Sequence, residues 1–225
     1  MVPFLFHGHH LQPLPCGGLW WAGVRTLLVA DLHLEKASFF ARHGQFLPPY
    51  DSQETALRLA RRVEDTDAAR VICLGDSFHD AHGAAGFAGE ALDILQRVAA
   101  RTEWVWITGN HDDAAHFPFG HALAEMVLAG VMLRHEAMPH DPAPEISGHF
   151  HPRLRVRHKG RNISRRCFLA SERKIIMPAF GALTGGLDAR SPAIHEAIHG
   201  AVTALVPSGG QLLRFPVEPL LEQCA

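Results

Sequence analysis

Short apolar runs that end at once in acids, histidines and glycine recur along the chain. Thr26–Ala30 leads into Asp31-Leu32-His33, Arg70–Leu74 into Gly75-Asp76-Ser77-Phe78-His79-Asp80, and Trp104–Thr108 into Gly109-Asn110-His111-Asp112. Val131–Leu133 leads to Arg134-His135-Glu136, and Glu145-Ile146-Ser147 to Gly148-His149-Phe150-His151. β-Rich runs this short, bounded by Gly and Asp, predict buried strands. Helical patterns lie between the first three. Asp51-Ser52-Gln53-Glu54 has the spacing of a capping box, and Ala56, Leu57, Ala60 and Val63 follow at helical intervals. Phe87, Ala91, Ile94, Leu95 and Val98 form a second stripe. Strand–helix alternation implies parallel β-α-β units with right-handed crossovers. Ligands in such sheets bind outside the carboxyl ends of the strands, so the fold itself would gather the polar clusters.

After Pro152 the period changes to two. Arg153, Arg155 and Arg157 alternate with Leu154 and Val156, which predicts a strand with arginines on one face. Gly160 falls in the expected turn, and Ser164–Ala170 and Lys174–Met177 read as further strands. The chain is thus expected to be one domain, 1–225, with a motif core over 26–152 and a basic, β-rich part over 153–190. The fold class is α/β: two sheets packed face to face with helices outside, a four-layer α/β/β/α sandwich.

Composition changes this picture in three places. With 225 residues, 47% hydrophobic and 20% charged, the balance is that of an ordinary globular chain. No run approaches the roughly 18–20 apolar residues of a membrane span, and MVPFLFHGHH lacks the basic start of a signal peptide. The cysteines Cys16, Cys73, Cys167 and Cys224 form no C-x-x-C pair. A reducing cytoplasm and no membrane partner are the expectation. The second feature is 17 histidines against three lysines and one tyrosine, which raises metal chemistry. The third is hidden by the net charge of −2. Arg153–Lys174 carries nine Lys/Arg and one acid, a balance of +8, against −10 for the remainder. Such separation suits an anionic partner, nucleic acid foremost, or else a solvated arginine-rich hairpin.

Asp31, His33, Asp76, Asn110, His135, His149 and His151 make a mixed oxygen and imidazole set without thiolate. Such a set suits Mn²⁺, Fe or Zn better than Mg²⁺ or Ca²⁺. The two-residue spacing of Asp31 and His33, and of His149 and His151, would turn each pair to one side of a regular strand. With one carboxylate bridging, the seven give two sites of four ligands. Two metals about 3.5–4 Å apart are a standard device for in-line displacement at phosphorus. The chain has no G-x-S-x-G elbow that would offer a serine nucleophile instead.

D-x-H, G-D-x-x-x-D, G-N-H-D, a lone histidine and G-H-x-H appear here in the order of the calcineurin-like metallophosphoesterases, which the chain resembles over 31–151. VADLHLEKASFF, PPYD, LGDSFHD, the His135-Glu136 pair, GHFHP and PAFGALTGG extend the likeness over about 20–190. With them it is similar to the bacterial ligase-associated DNA-damage-response metallophosphoesterases, the PdeM family. The resemblance implies a Mn²⁺-dependent phosphodiesterase or endonuclease acting on DNA alongside an ATP-dependent ligase, a nuclease and a helicase. It assigns Asp31, His33, Asp76 and His151 to one metal, and Asp76, Asn110, His135 and His149 to the other, with Asp76 bridging. It casts His111 as the residue that contacts phosphate and protonates the leaving group, oriented by Asp80 or Asp112. Hydrolysis of small nucleotides or nucleotide-linked metabolites is the alternative, and a non-catalytic interaction module the remaining one.

Outside these motifs the residues read more plainly. Arg153, Arg155, Arg157 and Lys36 are candidates for substrate phosphate, as is His43; for Lys36 and His43 a solvated helix or loop side chain is the plainer reading. His79 and His82 are expected on surface loops, His7, His9 and His10 in a frayed terminus, and His195 and His199 on an exposed helix face. Trp104, Trp106 and Phe180 are expected in the core, and Gly185-Gly186 in a tight turn.

Overall fold

A computed structural model describes residues 2–112 and 116–220; Cys224 lies outside them. The first sheet begins with an antiparallel meander: β1 (Phe4–Phe6), β2 (His9–Pro13), β3 (Leu19–Trp21) and β4 (Thr26–Val29). It continues in parallel through β5 (Arg70–Leu74), β6 (Glu103–Ile107) and β7 (His121–Leu123). The second sheet has the order β16-β15-β13-β14-β10-β9-β8. Its strands are β8 (Glu125–Leu128), β9 (Val131–Arg134), β10 (Glu145–Ser147), β13 (Phe168–Ala170), β14 (Lys174–Ile176), β15 (Val202–Ser208) and β16 (Gln211–Val217). A separate two-stranded ribbon pairs β11 (Arg153–His158) with β12 (Arg161–Arg166).

Strand alternation sorts the core into layers. Leu28, Ile72 and Val105 face Leu133, Ile146 and Ile175 between the sheets. Their neighbours Leu27, Val71, Trp104 and Trp106 turn outward onto α2 (Asp51–Thr66) and α4 (Glu90–Ala99). On the far side, Leu169, Ile176 and Ala204 pack against Ile194 and Ile198 of α5 (Pro192–Ile198). Helices, sheet, sheet and helix are the four layers that the sequence pattern predicts.

Several local expectations differ from the structure. The first turn of α2 makes no capping box, since its cap position is Tyr50. Asp51 instead accepts from the amide of Ala37 in α1 (Lys36–Arg42), and Ser52 exchanges hydrogen bonds with Glu35. These polar groups fasten α1 to α2. The N-terminal histidines are not frayed: His9 and His10 lie in β2, and the rings of His7 and His9 bond the carbonyls of Glu172 and Ala129. The run 164–170 is broken at Cys167 into strands of two different sheets. Gly186 is needed for close approach rather than for a turn, because a Cβ there would lie 2.0 Å from the carbonyl oxygen of His151.

Candidate metal centre

Every residue of the predicted ligand set lies just past a strand end. Asp31 and His33 follow β4, Asp76 follows β5 and Asn110 follows β6; His135 follows β9, and His149 and His151 follow β10. The first four come from one sheet and the last three from the other. Backbone pairing continues beyond the strands: the Asp31 and His33 amides donate to Gly75 and Asp76, and the Gly148 amide to His135. The two sheets are then tied directly, for the His149 amide donates to both carboxylate oxygens of Asp31 at 3.1 and 3.2 Å.

Strand alternation is not what makes these side chains converge. Asp31 (φ 53°), His33 (44°), Asp76 (48°), His149 (70°) and His151 (48°) all have left-handed backbone. Non-glycine residues rarely adopt it, and such strain clusters at functional sites. The prediction of regular same-face pairs is corrected accordingly. Two motif glycines make room for the turns. At Gly75 a Cβ would lie 2.2 Å from Nδ1 of His135, and at Gly109 it would lie 2.4 Å from the amide nitrogen of Asp76.

The donor atoms form two groups that share Asp76. Asp31, His33, Asp76 and His151 each offer one atom within 4.8 Å of the others, and so do Asp76, His135 and His149. Asn110 joins the second group, its Oδ1 lying 3.0 Å from His135 Nε2 and 3.1 Å from His149 Nδ1. Imidazole nitrogens face one another at 3.2 Å between His33 and His151, and at 3.1 Å between His135 and His149. Imidazole nitrogens this close can serve as ligands of one cation. His135 Nδ1 meets the carbonyl of Leu74 at 3.0 Å, which places its proton there and leaves Nε2 free as a ligand.

Asp31 and Asp76 are 0% and 3% exposed, and among the described residues only histidines lie within ion-pair distance of them. Two buried carboxylates without a fixed cation are costly. Burial, and then the charge of His151, pushes His33 down to about 2, which keeps it neutral and able to ligate. The clusters can bind divalent metal.

Around them, some expected roles change hands. Neither Asp80 nor Asp112 is the partner of the His111 ring. Asp80 caps α3 (Ala81–Gly86) through the Gly83 amide and pairs with Arg42. Buried Asp112 accepts the amides of Ser77, Phe78 and Gly109. The ring of His111 meets the carbonyl of His79 through Nδ1 at 2.9 Å, and its Nε2 lies 4.0 Å from Asp76. His79, expected on the surface, is half-buried between Phe39 and Phe40 on one side and His33 and His111 on the other. Burial and then Lys36 hold it down to about 4. Its only sequence signal was its place inside GDSFHD. Lys36 is half-buried, its pKa lowered by burial, while His43 is exposed and bonds the Phe39 carbonyl.

Arg153, Arg155 and Arg157 share one face of the ribbon, opposite Arg166, Ser164 and Asn162. Arg153 donates to Ser164 and Arg155 to the carbonyl of Gly186, whereas Arg157 is exposed. Phe180, Trp104 and Trp106 are buried, as expected.

No curated protein matches the chain by sequence. A nuclease from Pseudomonas putida, MPE, superposes with a TM-score of 0.73 at 30% identity, covering 95% of this chain and 98% of that one. The phosphoesterase Yfce from E. coli matches more loosely, with a TM-score of 0.43 at 15% identity over 86% of this chain and 99% of that one. The profile of the calcineurin-like phosphoesterase family matches residues 24–169. The chain belongs to the calcineurin-like phosphoesterases and is a hydrolase of phosphoester bonds.

Proposed function

We propose that the chain is a dinuclear metallonuclease that hydrolyses phosphodiester bonds in DNA. The observation that carries this reading is the pair of donor clusters joined at Asp76, in a chain 30% identical to a nuclease over nearly its whole length. One metal would be held by Asp31, His33, Asp76 and His151, and the other by Asp76, Asn110, His135 and His149. Manganese suits this oxygen and imidazole set, and Fe or Zn would also fit. Two divalent ions there would supply Lewis-acid polarisation of the phosphoryl group and a water acidified to near neutral pH.

The protein's own groups complete the chemistry. With its Nδ1 proton held by the His79 carbonyl, His111 presents Nε2 on the side of Asp76. In the imidazolium form it can hand a proton to the departing alkoxide, and it is exposed enough to reach one. Lys36 and the arginine ribbon supply positive charge for the phosphates of a long substrate. A role in DNA repair beside an ATP-dependent ligase, a nuclease and a helicase, in the cytoplasm, fits the flanking motifs.

The deciding experiment loads the protein with Mn²⁺ and offers linear, nicked and supercoiled DNA beside a panel of cyclic and diphosphate nucleotides. Cleavage of DNA with little turnover of the panel is expected. The reverse pattern would make it a small-nucleotide phosphodiesterase, and inertness of both with metal bound would make it an interaction module.

A further inference from the structure

The ribbon that follows the G-H-x-H turn borders a cavity of about 380 Å³ whose charged lining is cationic. Arg153, Arg165 and Arg166 of the ribbon border it, together with Ser164 and Thr184, and no carboxylate among the described residues lines it. Leu14, Phe168 and Pro178 give it an apolar part.

The arginines there have no close ion pair, although Glu54 of α2 acts on Arg58 and Arg166 from a distance. Arg153 and Arg166 stand directly opposite each other in the ribbon register, a like-charge pairing that is destabilising by itself. Their partners are neutral oxygens: Ser164 Oγ for Arg153, and the Gly181 carbonyl and Thr184 Oγ1 for Arg166. Arg165 reaches only the Ser164 carbonyl, at 3.4 Å, and Arg58, close by on α2, reaches the carbonyl of Phe180. Among the described residues none of the four has a carboxylate partner. Each guanidinium carries five donors, so most of that capacity is unused. The mutual repulsion is felt: burial, then Arg58 and Arg153, hold Arg166 down to about 10.

The cavity also adjoins the catalytic turns. Arg153 is two residues from His151, and Gly186 is wedged between them, where a Cβ would lie 2.9 Å from the Arg153 side chain. Gly181, whose carbonyl Arg166 holds, donates its own amide to the Asp31 carbonyl at 3.2 Å.

We propose that this cavity is a second phosphate subsite, taking one nucleotide of the substrate strand away from the scissile bond, its phosphate on Arg153 and Arg166, which share one face of the ribbon. The volume and the apolar part favour a nucleotide over free phosphate, which would leave that part bare. The choice of occupant rests on the nuclease reading, but binding to the cavity does not.

The test is therefore made on metal-free protein, with 5′-fluorescein octathymidylate followed by anisotropy across a salt series. The variants are R153Q and R166Q, both on the ribbon face that carries the proposed phosphate contact. Each should raise Kd about tenfold, the scale of a hydrogen bond to a charged group. Each should also lower the slope of log affinity against log salt by about 0.7. Thymidine monophosphate should compete for the wild type, inorganic phosphate more weakly and thymidine not at all. An unchanged Kd and slope in both R153Q and R166Q, equal competition by thymidine, or no binding by the wild type would each overturn the subsite. A wild type that binds in this way yet cleaves no DNA would remove the nuclease reading and leave the subsite standing.

Discussion

His111 and Asp76 sit in contact yet should fail differently when replaced. A DNA phosphodiester expels an alkoxide, a poor leaving group, whereas a nitrophenyl phosphodiester expels a stable phenolate that needs no proton. General acid catalysis contributes about 10²–10⁴-fold. His111→Ala should therefore lose DNA cleavage by about that factor and nitrophenyl ester cleavage far less, with metal content unchanged. Equal losses on both substrates would reduce His111 to a phosphate-binding group. Asp76 serves both donor clusters, so Asp76→Asn should lower metal content at both positions. Loss of His149 or His151 should empty one position and spare the other. Elemental analysis of the three purified variants separates the cases, and full occupancy in Asp76→Asn would end the bridging assignment. Asp112 offers a third check. Its carboxylate holds three buried amides, and Asp112→Ala strands all of them at about 1–3 kcal/mol for a lost buried partner. A lowered melting temperature should accompany weakened activity.

At the scale of elements, β10 carries the most exposed risk. Its first residue, Glu145, is 0% exposed and lies beside the buried cations Arg134 and Lys174, at 3.3 and 3.5 Å. Glu145→Gln would remove the one carboxylate within ion-pair distance of Lys174 among the described residues, a loss of about 3–5 kcal/mol. Denaturant unfolding should show it, and the G-H-x-H turn just downstream should lose metal affinity in step. That ion cluster was illegible beforehand, because Glu145, Arg134 and Lys174 come from three strands whose pairing no local pattern reveals. The strands themselves were legible. Arg70–Leu74 and Glu145–Ser147 matched residue for residue; for Arg70–Leu74 the signal is a continuous apolar run stopped by glycine, which a doubly covered strand requires, and for Glu145–Ser147 it is the glycine and the G-H-x-H motif that follow. The meander of β1–β3 and the hairpin of β15 and β16 left weaker traces; β1 and β16 are the edge strands of the two sheets, and β1, β2 and β16 mix buried with exposed positions. Within the site, Asp31, His33, Asp76, Asn110, His149 and His151 were readable from motif spacing and His135 from its position alone. The place of His79 was not, because a ring wedged between α1 and the Asp76 turn depends on a helix that the apolar pattern did not announce.

For the molecule as a whole, the donors come from both sheets. β4, β5 and β6 bring four of them and β9 and β10 bring three, at the end of a core in which apolar side chains of the two sheets pack together. A pair of ions seated there is a rivet through two plates. Binding to the native chain alone stabilises it by mass action, about 1.4 kcal/mol for every tenfold rise in free ion above the dissociation constant. The melting temperature should climb with the logarithm of free Mn²⁺, and Asp76→Asn should flatten that climb. The same coupling makes the joint between the sheets a gauge of its surroundings. In a compartment starved of transition metal, the seam at the strand ends would be the first part of the fold to loosen, and the hydrolase would be lost through its architecture as well as through its chemistry.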